Sequence, residues 1–169
     1  AALVEAWEAN WESLDSRPVP AWYEDAKFGI FIVWGIYAVP SFGSEWFWKY
    51  WHDGYTGQAE YINKTENPRF AYADYVHRFD ATLYRPDRDW SDMFAKSGAQ
   101  YVVMTSKHQE GFCNWDSRDI ATTWNWNSMD VGPRRDLLGE LAAAVKKTTS
   151  IQTQNRIRFG AYHSLWEWF

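Results

Sequence analysis

The 169 residues carry a net charge of −5, with 46% hydrophobic and 23% charged side chains. That length and balance describe one folded domain with a real core and exclude a disordered chain. The acidic balance leaves no basic face to neutralise phosphates, which argues against nucleic acid, and no apolar run approaches the ~18–20 residues of a membrane-spanning helix.

The chain opens at Ala1 without a Met or a charged-then-apolar segment, so a processed or recombinant N-terminus is expected. Residues 1–26 are expected to form one or two short helices. The run 27–34 (KFGIFIVW) is nearly continuous in β-branched and aromatic residues, which reads as a parallel strand covered on both faces. A long loop follows, then a helix over 86–97, with Pro86 near its start, acidic residues in its first turn and Gly98 as a stop. A second strand is expected at 100–105 (QYVVMT). A second helix is expected over 133–147, where Leu137, Leu138, Leu141 and Val145 form one stripe and lysines suit the C-terminal end. The third strand is 157–162 (IRFGAY). This βαβαβ order gives an α/β fold with a parallel sheet, in the order 1-2-3. A (β/α)8 barrel needs about 250 residues and at least ~200. The expectation is therefore a partial (β/α)8 TIM-like barrel, its first three parallel strands with intervening helices, with residues 1–169 as one incomplete portion and no internal boundary.

Aromatic residues make up 20% of the chain, including 13 Trp, and many stand in polar company, as in GSEWFWKYWHDGY. They fill a core or, with flat rings stacked on sugar C–H faces, a carbohydrate site; composition leaves both readings open. The clusters after the three strands, WGIYAVPSFGSEW, SKHQEGFCNW and HSLWEWF, each combine Trp with His, Glu or Gln. In an α/β barrel the C-terminal strand ends carry the active site.

The runs SLDSRPVPAWYEDAKFGIFI, VPSFGSEWFW, YVVMTSKH with EGFCNW, WNWNSMDVGPRRDLLGEL and FGAYHSLWEWF resemble animal-type α-L-fucosidases, family 29 of the glycoside hydrolases, from about Trp11 to Phe169. The resemblance implies a retaining exoglycosidase that removes terminal α-L-fucose from glycoconjugates in lysosomes or secretions. It also implies a catalytic barrel followed by a β-domain, with no cofactor. It points to Val33, Trp34, Glu45, Trp46, His108, Gln109 and Tyr162 at the fucose pocket. Two of these depart from the family pattern: Val33 stands where the family has a His that contacts a fucose hydroxyl, and Gln109 where it has a second His. The resemblance places the nucleophile and the acid/base beyond Phe169, so these 169 residues are expected to be inactive alone. The partners it implies are a fucosylated glycan and the remaining barrel or other subunits.

His108 reads as a core histidine or a sugar ligand, and its motif favours the ligand. Glu45, between Ser44 and Trp46, reads as a surface charge or a binding group, and the surrounding rings favour binding. Trp48, Tyr50, Trp51, Trp124 and Trp126 remain open between loop core and sugar platform. Of the carboxylates near the expected rim, Glu45, Glu110, Asp130 and Glu167, most are expected to be solvated, and none suggests a catalytic pair. His52, His77 and His163 give no metal-ligand spacing. Cys113 reads as a buried small hydrophobe, and Asn63-Lys64-Thr65 fits the N-glycosylation pattern. Three functional readings follow, in order: a segment of a fucosidase, a non-catalytic fucose- or glycan-binding homologue, and a structural or interaction fragment.

Overall fold

The computed structural model describes residues 7–118 and 126–168. Two short helices come first, α1 (Trp11–Asp15) and α2 (Ala21–Ala26), as expected. The Asn10 side chain caps α1 by accepting the Ser13 N–H at 2.8 Å. Lys27, at φ 46°, turns the chain out of α2 towards β1 (Gly29–Ile32). After β1 come α3 (Phe47–His52), α4 (Thr56–Thr65), a 3-10 segment (Tyr72–Arg78), a π-helical turn (Pro86–Trp90) and α5 (Ser91–Ser97). The chain then forms β2 (Tyr101–Lys107), α6 (Leu137–Lys147) and β3 (Arg158–His163).

The three strands form one parallel sheet in the order β1-β2-β3. Val102 and Met104, alternate residues of β2, are fully buried on one face. There they join one core with Phe94 of α5, Leu137, Leu141 and Val145 of α6, and Ile157. The opposite face carries Phe31 and Tyr162, whose rings meet at 5.6 Å, and Phe31 is half exposed. Helices α5 and α6 therefore cover one side of the sheet, while on the other the Trp22 and Tyr23 rings of α2 meet Tyr101 at 6.1 and 5.9 Å.

Several boundaries differ from expectation for local reasons. Strand β2 runs on to Lys107 because its polar residues find partners: Thr105 Oγ1 donates to Ile32 O (3.3 Å) and Ser106 Oγ donates to Tyr162 O (2.8 Å). Helix α6 starts at Leu137 because Asp136 is its cap, accepting the Gly139 N–H at 2.8 Å, and Arg134 just before it lies at φ 55°. The helical stretch at 86–97 is divided into a π-helical turn and α5, and Gly98 ends it at φ 86°, the left-handed conformation glycine tolerates best. The long loop after β1 contains α3, α4 and the 3-10 segment, pinned by the buried rings of Phe47, Tyr72 and Tyr75. In α4 only Tyr61 and Ile62 face the interior, too weak a stripe to stand out.

Leu141 is fully buried between α6 and the sheet. Leu141→Ala in the full-length protein is expected to lower stability by about 2–5 kcal/mol, through lost burial and the cavity left behind. Chemical denaturation at equilibrium checks this.

Candidate functional site

At the C-terminal end of β2 the chain turns through His108 and Gly111, with the Gly111 N–H donating to His108 O at 3.1 Å and Gly111 at φ 92°. This turn carries the His108 ring into a box of aromatics. Tyr37 stands edge-on at 5.6 Å, Tyr162 lies nearly parallel at 6.0 Å, and Trp168 stands edge-on at 5.7 Å. Trp46 joins through Trp168 at 5.1 Å and keeps about a third of its surface open. Rings from β3 and from the segments after β1 and β3 thus converge on the histidine that follows β2.

The box is tied down from several sides. Asn114 Nδ2 donates to Trp34 O (2.8 Å) and Thr105 O (3.0 Å), binding the loop after β2 to the end of β1. Lys107, nearly buried, pairs with Glu167 at 2.8 Å. The Trp168 N–H donates to Gln109 O at 2.9 Å, which fastens the segment after β3 against the turn after β2. Tyr162 O–H and Ser164 Oγ share a hydrogen bond of 3.0 Å.

Glu110 is the exception to the expectation that most of the rim carboxylates are solvated. Its side chain is 1% exposed, and Oε2 lies 3.4 Å from His108 Nδ1. Burial pushes its carboxyl pKa up, and His108 is the first of the groups pulling it back. Burial, followed by the Glu110 charge, raises the Tyr37 and Tyr72 hydroxyls well above the ordinary phenol value. Of the other three carboxylates, Glu167 holds Lys107, Asp130 accepts from Asn127 Nδ2 (2.9 Å), and Glu45 is half-buried within electrostatic reach of Tyr37.

The structure brings His108, Tyr162, Trp46 and Gln109 to one end of the sheet. Val33 follows β1 there. Continuing the register, it is level with Thr105, which pairs with Tyr162. Trp34 does not join them. Its ring packs on Phe79 (5.1 Å), Tyr84 (5.2 Å) and Trp90 (6.0 Å), on the helix side. The Trp34 ring thus lies apart from the rings around His108, although Val33 and Trp34 both line a cavity with Phe79 and Tyr84. Tyr37, Trp168 and the buried state of Glu110 went unread in the sequence. The alternation of His108 with Glu110 across one tight turn was the available signal.

The remaining rings divide. Trp48 stacks on Tyr72 at 4.8 Å with an interplanar angle of 3°, and Trp126 is buried against Phe112 at 5.2 Å, so both belong to the core. Trp51 packs on Phe47, whereas Tyr50 lies between Trp46 and Tyr55 near the rim. Trp124 lies outside the described residues. Cys113 is a free, buried thiol whose pKa burial raises, so it packs as a small hydrophobe. Among the described residues no His, Cys, Asp and Glu group suits a metal ion, and no helix is long and apolar enough to cross a membrane.

His163 accompanies Ser106 Oγ through Nδ1 at 2.8 Å, and its pKa is lowered by burial and then by Lys107, against the opposing pull of Glu167. The unfolded imidazole takes up its proton first as pH falls. The stability from this site is therefore complete above the unfolded value of about 6.5 and is lost as pH falls through the lower folded value. His163→Asn is expected to flatten the decline in stability below about pH 6.5. Urea midpoints of the two proteins on either side of that pH test the difference.

The family model described as Alpha-L-fucosidase matches residues 2–169. The tissue α-L-fucosidase of Rattus norvegicus is 50% identical over 161 residues, which is 95% of this chain and 32% of the relative. The plasma α-L-fucosidase of Homo sapiens is 46% identical over 164 residues, 96% of this chain and 33% of the relative. The chain thus spans about a third of the length of the curated relatives it matches. Among solved structures, the Thermotoga maritima α-fucosidase in complex with fucose superposes with a TM-score of 0.78 at 37% identity, over 94% of this chain and 37% of that one. The three parallel strands and their helices agree with the expected partial (β/α)8 barrel. By sequence and by fold, the chain belongs to the α-L-fucosidase family.

Proposed function

We propose that the full-length protein carrying this chain hydrolyses terminal α-L-fucose from fucosylated glycans, and that the ends of β1, β2 and β3 build one wall of its fucose site. The observation that carries this reading is the convergence of Tyr37, Tyr162 and Trp168 on the His108 ring, with Trp46 at the open rim. An apolar surface with a few polar atoms suits a deoxy sugar, which offers a methyl group and C–H bonds beside its hydroxyls. His108 supplies a hydrogen bond to a hydroxyl, Gln109 and Glu45 extend the polar side, and Trp46 and Tyr162 face the C–H surface. Retaining hydrolysis needs two carboxyl groups about 5–5.5 Å apart, one attacking and one protonating the leaving oxygen. In this reading both come from outside these 169 residues. A lysosomal or secreted location accompanies the proposal. It is supported by the tissue and plasma α-L-fucosidases among the relatives and by the exposed Asn63 in the last turn of α4, where a glycan would project into solvent.

The test is a panel of nitrophenyl glycosides presented to the full-length protein. The α-L-fucoside is expected to be the preferred substrate, with the first product released in the α configuration. Preference for another sugar, or inversion at the anomeric carbon, overturns the reading.

A further inference from the structure

We propose that Glu110 is a positioning residue: its carboxylate, 3.4 Å from Nδ1 of His108, fixes which edge of the imidazole faces the ligand. This inference rests on the proposed fucose site and adds to it a residue that touches no sugar. The aromatic box settles the plane of the His108 ring, because Tyr162 is nearly parallel to it and Tyr37 and Trp168 stand edge-on. Shape alone leaves one freedom. A half-turn about Cβ–Cγ exchanges Nδ1 with Cδ2 and Nε2 with Cε1, and C–H and N are too alike in size for packing to tell the two apart. Only a polar neighbour distinguishes them.

Glu110 is that neighbour. Nδ1 of His108 and Oε2 of Glu110 are both buried, and neither has a hydrogen-bond partner. Each is thus the polar group that the other faces. The carboxylate is itself held in place by packing. A Cβ on Gly35 would lie 3.2 Å from Glu110 Oε1 and 2.9 Å from the Tyr37 ring, so a larger residue there would crowd the carboxylate and Tyr37. Burying a carboxyl group without a partner is unfavourable, and the one placed here serves a histidine at the centre of the site. With Nδ1 turned to Glu110, Nε2 is the nitrogen left for a sugar hydroxyl. The contact of 3.4 Å is long for a hydrogen bond, and such contacts tighten when the ligand arrives.

The experiment uses the full-length protein in four forms: wild type, Glu110→Gln, His108→Ala and the double variant. Glu110→Gln keeps the volume but offers either an amide N–H or a carbonyl to Nδ1, so it no longer enforces one edge. It is expected to weaken L-fucose binding about tenfold in calorimetry. In the His108→Ala background it is expected to change binding by less than about twofold, because the group it positions is gone. In ligand-free protein, nitrogen NMR of the His108 ring is expected to show one tautomer in the wild type and a mixture in Glu110→Gln. Glu110→Asp, which keeps the charge, is expected to retain the single tautomer. Equal losses from Glu110→Gln with and without His108, or an unchanged tautomer, overturn the positioning role and leave the fucose site standing. A wild type that shows the single tautomer but binds no fucose overturns the site reading on which the proposal rests.

Discussion

Placing histidine at both departures from the family pattern, Val33→His with Gln109→His, is expected to tighten L-fucose binding by the full-length protein at least tenfold. Val33 is level with Thr105 and Tyr162, and its methyl groups give a fucose hydroxyl in the proposed site no hydrogen bond. A buried polar group left without a partner costs about 1–3 kcal/mol. Gln109 is half-buried and its carbonyl is taken by the Trp168 N–H, so its backbone is anchored and only its side-chain reach differs from that of a histidine. If both positions contribute, the combined gain is about 2–6 kcal/mol, or roughly 30- to 10⁴-fold in affinity. Stacking on Trp46 and Tyr162 is common to both versions, so the comparison isolates the two hydrogen bonds. Titration calorimetry of the two proteins decides it. Equal affinity means that neither position touches the sugar.

A polypeptide confined to residues 1–169 is expected to show no hydrolysis of a nitrophenyl α-L-fucoside. Glycosidases owe rate enhancements of many powers of ten to a carboxyl pair set at a fixed separation. At the strand ends described here, Glu110 is sealed against His108, Glu167 holds Lys107 and Asp130 accepts from Asn127. Among the described carboxylates there, that leaves Glu45, half-buried beside the site, and one carboxylate cannot both attack and protonate. Turnover well above a boiled control, with host enzyme excluded, contradicts this.

The strands were legible because their signal is local. KFGIFIVW and QYVVMT are apolar almost without interruption, which marks strands, although Phe31 stays half exposed where cover on both faces was expected. Helix α6 was legible from its leucine stripe, but its start was not, since the cap at Asp136 outweighs the proline three residues earlier. The segment from α3 to the 3-10 turn stayed hidden because its rings bury through contacts far apart in sequence, such as Phe47 with Tyr72 and Tyr75. The same holds at the site. The motif around His108 marked the histidine, and the family resemblance supplied Glu45, Trp46 and Tyr162. Tyr37 and Trp168 approach His108 only because the sheet register aligns three strand ends. Glu110 is buried close to Gly35, which lies on another strand's exit loop, and no spacing in the sequence announces that meeting.

The most direct test of the fucose wall is a crystal structure of the full-length protein with L-fucose bound. The account predicts the sugar against Trp46 and Tyr162, with His108 Nε2 within hydrogen-bond distance of a hydroxyl. Fucose bound elsewhere, with the His108 ring still enclosed by Tyr37, Tyr162 and Trp168 and touching no ligand, contradicts it.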